Sequence, residues 1–112
     1  MTLEEAGKKF DFPVDTLKRY VSYGFITSTR PDEYTEEDFS HLGLIEILME
    51  AGFTAEETKQ YLTLIKEAGT DAEQIRMLKK QRWSLLDDIH KKQQLLDHLD
   101  YMIWKKNRRQ ER

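Results

Sequence analysis

From Asp71 to Asn107 the chain runs without Gly or Pro, and this stretch restricts the molecule more than any other feature. Apolar residues fall at Ile75, Leu78, Leu85, Ile89, Leu96, Leu99 and Ile103, with Arg82 and Lys92 filling the two gaps in an alternating three-four spacing. That spacing returns to one side of a helix every two turns, so the segment reads as one helix with a seven-residue repeat and two cationic interruptions. At ~1.5 Å per residue it spans about 55 Å, more than the rest of so short a chain could cover. The stripe needs a second helix. A parallel pair in register would stack Arg82 on Arg82 and Lys92 on Lys92. An antiparallel pair centred between residues 90 and 91 sets Arg82 against Leu99 and Ile89 against Lys92, which avoids direct repulsion. An antiparallel homodimer through these seven apolar positions is expected.

The front of the chain is punctuated by helix signals. Thr followed by an acid three residues on, the pattern in which two side chains satisfy two orphan N–H groups of a first turn, occurs at Thr2/Glu5, Thr35/Asp38, Thr54/Glu57 and Thr70/Glu73. Gly24, Gly52 and Gly69 mark stops. These signals predict helices over 3–9, from Pro13 to near Gly24, over about 36–51 and over about 55–68, with a small hairpin or extended loop across 25–34. Helical spacing nominates Leu3, Ala6, Phe10, Val14, Leu17, Phe25, Phe39, Leu42, Ile45, Leu48, Phe53, Tyr61, Leu62 and Ile65 for one modest core.

Composition narrows the function. There is no Cys, which removes disulfides, thiolate metal sites and cysteine nucleophiles. His41, His90 and His98 are not spaced for a metal, and no Ser/His/Asp set, phosphate loop or HExxH run is present. Neither an enzyme nor a cofactor is expected. The acidic start Met1-Thr2-Leu3-Glu4-Glu5 is unlike a signal peptide, and a cytoplasmic protein without membrane contact is expected. Charge is uneven: residues 1–68 hold seven Lys/Arg against fourteen Asp/Glu, the remainder eleven against seven. An acidic front half opposes nucleic-acid binding unless its few cations share one surface.

Such a surface exists in the pattern. Asp11-Phe12-Pro13-Val14 joins two short helices, and the second displays Thr16, Lys18, Arg19, Tyr20 and Tyr23 largely on one side. Hydroxyl, amine, guanidinium and phenol groups are those that meet phosphates and base edges. An ordinary two-helix corner with a solvated basic face is the alternative.

The runs Val14-Asp15-Thr16-Leu17-Lys18-Arg19-Tyr20-Val21, Gly24-Phe25-Ile26, Tyr34-Thr35-Glu36-Glu37-Asp38-Phe39, Leu42-Gly43-Leu44-Ile45 and Gly52-Phe53-Thr54-Ala55-Glu56-Glu57 follow one another in this order. Through them residues 2–62 resemble the DNA-binding domain of the MerR family of bacterial transcriptional regulators. Lys18 stands where the family has Arg, Arg19 where an aromatic is usual, Val21 where an acid is usual, and the wing keeps only Glu33-Tyr34 of its family run. The resemblance implies a mainly α fold: a winged helix-turn-helix domain over 1–69, a dimerisation helix over 70–107 in an antiparallel coiled coil, and a basic tail over 108–112. It implies a homodimer on double-stranded DNA with a two-fold symmetric operator, and admits RNA polymerase as a partner. Tyr20 and Arg30 would meet phosphates, Lys18 and Arg19 base edges or phosphates, and Thr16 would support them. A competing reading, motivated by the acidic front and short wing, is a dimeric protein-interaction adaptor that keeps the fold without DNA affinity.

Trp83 and Trp104 lie off the repeat on one outer strip with His90 and Asp97. Packing against a front domain of the same or the partner chain is the expectation for both.

Overall fold

The computed structural model describes residues 1–110, and all regular structure among them is helical. Helix α1 covers Leu3–Lys9, where Thr2 Oγ1 accepts from the Glu5 amide at 3.2 Å and Glu5 Oε1 from the Thr2 amide at 3.3 Å. Helix α2 covers Val14–Ser22 and follows Pro13, whose φ of −60° already suits a first turn. The two cross closely at Gly7, where an added Cβ would stand 2.9 Å from Val14 Cγ2 and 3.0 Å from the Phe12 carbonyl oxygen.

No strand forms across 25–34 among the described residues, so of the two forms expected there the structure takes the extended loop. It is held from within and from outside. Ser28 Oγ donates toward the carbonyls of Arg30 at 2.7 Å and Glu33 at 2.9 Å. The Tyr34 amide donates to the Met1 carbonyl at 2.9 Å, and the Met1 ammonium returns a bond to the Tyr34 carbonyl at 2.7 Å.

The helix expected over 36–51 is divided into a 3₁₀ turn at Glu36–Phe39 and α3 at Leu42–Glu50. The break at 40–41 lets Phe39 turn inward, its ring 5.5 Å from those of both Phe10 and Tyr34. Helix α4 covers Ala55–Leu64, four residues shorter than expected, and carries the Thr54/Glu57 box at 3.1 Å in both directions. The fourth box does not form. The Thr70 hydroxyl instead turns back to the Leu64 carbonyl at 2.6 Å and the Glu67 carbonyl at 3.0 Å, satisfying acceptors left open where α4 ends.

Ala6, Leu17, Tyr20, Ile26, Tyr34, Phe39, Leu42, Ile45 and Leu62 make the main core, and Leu48, Phe53 and Tyr61 a second cluster beside it. Helix α5, Asp71–Gln110, touches this body only near its start. Met77 packs on the second cluster, the Tyr61 hydroxyl reaches Gln74 at 3.5 Å, and Gln81 Nε2 donates to the Ala51 carbonyl at 2.5 Å. Beyond Gln81 the helix runs free, giving extents of 73 × 35 × 18 Å. Residues 108–110 of the expected basic tail continue the helix, and residues 111–112 lie outside the described residues.

Neither Trp packs on its own front domain, contrary to one form of the expectation: Trp83 is 64% exposed and Trp104 54%. Both lie beyond Gln81, where α5 has left the body. All seven seam residues are likewise exposed in the single chain.

Candidate nucleic-acid interface

Helix α2 has two faces. Leu17, fully buried, and Tyr20 share the inner one because they stand three residues apart. The outer one presents Lys18 and Arg19 to solvent and Thr16 at its edge. Arg19 Nη2 lies 3.4 Å from Thr16 Oγ1, one turn earlier on the same side, so the hydroxyl helps aim the guanidinium. Ser22 Oγ donates to the Arg19 carbonyl at 2.7 Å and ties down the last turn.

Tyr20 turns its ring into the core. Its ring packs 5.7 Å from Phe25 and 6.1 Å from Phe12, and the residue is 7% exposed. Burial pushes its phenol up from the ordinary tyrosine range; the Glu46 and Glu50 carboxylates add to this and Arg19 opposes it. The Tyr20 ring thus helps fix α2 on the core, with acids of α3 behind it.

Arg30 projects from the wing loop and is exposed, but its guanidinium lies 3.7 Å from Glu33, which offsets the wing's only cation. The loop's base borders a hollow lined by residues that include Phe25, Thr27, His41, Ile45 and Lys66. Lys59 of α4 was not nominated by any local pattern. Its Nζ stands 3.0 Å from where a Gly24 Cβ would lie, placing a cation beside the C-terminal end of α2. Only the tertiary fold that sets α4 beside Gly24 brings it there, and no spacing rule could have found it.

Thr16, Lys18, Arg19 and Lys59 thus gather around one helix, while Arg30 stands on the adjoining loop in an ion pair. The arrangement offers fork-like and point-charge donors on a rigid helix. Among the described residues no helix is long and apolar enough to cross a membrane.

Comparison with known proteins adds to this geometry. Residues 1–65 match the family described as MerR HTH family regulatory protein. A crystal structure from Listeria monocytogenes, assigned to the MerR family of transcriptional regulators, superposes with a TM-score of 0.69 at 28% identity, over 92% of this chain and 83% of that one. No curated protein matches the chain.

Proposed function

The chain belongs to the MerR helix-turn-helix family of regulatory proteins, and from that premise we propose that it is a DNA-binding transcriptional regulator acting as a homodimer. The observation that carries the reading is α2, whose Thr16, Lys18 and Arg19 stand together on an outer face that the core leaves free. Each protomer lays this helix in a major groove of a two-fold symmetric operator, with Arg30 on the flanking backbone and Tyr20 holding the helix at the right height. The second helix that α5 lacks is the α5 of another copy, antiparallel, joined through Ile75, Leu78, Leu85, Ile89, Leu96, Leu99 and Ile103. RNA polymerase is a partner consistent with this role.

Selection of bound duplexes from a random pool at low and moderate salt tests the proposal, with a symmetric consensus as the expected outcome. Lys18→Ala with Arg19→Ala is expected to weaken operator binding about 100-fold and to reduce the salt slope by about one unit for each phosphate left without its cation, with folding unchanged. Fluorescence anisotropy on a labelled duplex reads both quantities. Unaltered affinity would remove the two residues from the interface.

A second reading is supported by the Arg30–Glu33 pair and by the acids behind Tyr20. An adaptor that keeps this fold without specific DNA affinity would show no enriched sequence even at low salt, while still dimerising.

A further inference from the structure

Away from the outer face of α2, one hollow of the front domain brings apolar and charged side chains together. Its walls come from the start of the wing loop, the 3₁₀ turn, α3 and the chain just beyond α4, and its volume is about 330 Å³. That is the lower end of the range for small-molecule sites, about 300–1,000 Å³, and suits a ligand the size of one amino acid rather than a nucleotide.

The lining is of two kinds. Leu42 is 6% and Ile45 1% exposed, and Phe25 packs on the main core, so the three form an apolar floor. Lys66, Glu37 and Asp38 supply charges of both signs. Asp38 is already committed, since one of its carboxylate oxygens accepts from the Thr35 amide at 2.9 Å. Lys66 and Glu37 are not: among the described residues neither forms an ion pair, although both line the same hollow. Opposite charges set around one small apolar floor without meeting leave a gap that a ligand bearing both charges can bridge.

We propose that this hollow binds a free α-amino acid with an apolar side chain. The ligand's carboxylate meets the Lys66 ammonium, its ammonium meets the Glu37 carboxylate, and its side chain lies on Phe25, Leu42 and Ile45. A simple acid leaves Glu37 unmatched and a simple amine leaves Lys66 unmatched, so only a zwitterion answers both. A phosphate-bearing ligand is disfavoured by the Glu37 and Asp38 carboxylates. Occupancy also has a structural consequence. Phe25 precedes the wing loop and Glu37 follows it, so a ligand touching both ties together the two ends of the loop that carries Arg30. The Phe25 ring lies 5.7 Å from that of Tyr20 and 5.4 Å from that of Tyr23, so the ligand rests against the aromatic packing at the end of α2. The inference goes beyond the DNA-binding reading and does not depend on it, because binding and loop order are both measured on the protein alone.

Isothermal titration calorimetry of the full chain with L-leucine and with L-phenylalanine tests the site, with 3-methylbutylamine and 4-methylpentanoate as the two half-matched probes. Saturable binding of one ligand per protomer is expected for at least one of the amino acids, and binding weaker by about tenfold or more for the amine and the acid. Lys66→Ala and Glu37→Gln, both at exposed positions, should each weaken the amino acid by a similar factor and leave the melting temperature of the unliganded protein unchanged. In proton–nitrogen NMR spectra the ligand should shift the Thr27, Glu37 and Lys66 amides, and amide exchange across 28–33 should slow. Absence of binding by either amino acid at about 10 mM would overturn the site. So would equal affinity for the amine or the acid, which means that one charge suffices, or an affinity that neither variant changes, which puts the binding elsewhere. Unchanged exchange across 28–33 with binding intact would overturn the tie on the loop.

Discussion

Residues 1–70 and residues 71–110 face the same requirement, to hide apolar side chains, and meet it in opposite ways. Helices α1 to α4 are seven to ten residues long, too short to persist alone in water, yet each is held by residues such as Leu17, Ile45 and Leu62 on a shared core. Helix α5 is 40 residues long and buries none of them in the single chain. Length stabilises its backbone ladder, but Ile89, Leu96 and Ile103 still stand in solvent. A short helix thus finds its partner within the chain, whereas the long one leaves its apolar stripe exposed.

The largest effect that would break this contrast comes from the seam. Ile89→Asp with Leu96→Asp places unpaired charges in four positions of the paired coil and should weaken association by about 1,000-fold or more. Helix signal by circular dichroism should fall for the part beyond Gln81 while the front domain stays folded. If mass and helicity are both unchanged, the long helix supports itself and the contrast is wrong.

The matching change in the front is Leu17→Ala. It empties a fully enclosed site and should cost about 3 kcal/mol, lowering the melting temperature of that domain by on the order of 10 °C or more. Dimer mass should not change.

The junction sharpens the comparison. Gly52 has φ +101°, and a Cβ there would stand 2.6 Å from Gln81 Nε2, the atom that binds the Ala51 carbonyl. Gly52→Ala should cost about 1–2 kcal/mol by thermal melting, from backbone strain and from the displaced Gln81. Adding Gln81→Ala should cost less than the two single changes summed, since the same bond is removed once. Strict additivity would mean that the two residues are not coupled.

The smallest effect is electrostatic. The bond from the Thr54 amide, followed by the Thr54 side chain, holds the Glu57 carboxyl below its ordinary value. A lowered folded-state pKa contributes stability that is complete above the ordinary value of 4.5 and fades as pH falls through the folded one. Glu57→Gln should flatten the acid limb of the front domain's melting curve slightly and leave neutral pH almost unaffected. An acid limb identical to the wild type would show that the box contributes no pH dependence.

Much of this was legible in the chain because the signals are local. The Thr2/Glu5 and Thr54/Glu57 boxes place two helix starts, and Gly24, Gly52 and Gly69 all have positive φ at the stops. The uninterrupted repeat marks the long helix. Readings failed where a side chain had a better use elsewhere in the fold. Thr70 caps backward because α4 ends early. Ile26, 2% exposed, lies in a loop that helical spacing does not describe. Of the candidate interface, Lys18 and Arg19 could be read from the order of residues, whereas Lys59 could not, since its place beside Gly24 depends on where the tertiary fold sets α4.

The bond between Gln81 and Ala51 makes α5 a lever with its fulcrum at one end. From that point to Gln110 the arm measures about 44 Å, so a tilt of about 10° at the fulcrum carries its tip through about 8 Å. In an antiparallel pair each arm ends beside the other's fulcrum, and the tilt of one body is passed to its mate. In such a pair the separation of the two α2 helices would be set by a few side chains at this junction, with no need for α2 itself to bend.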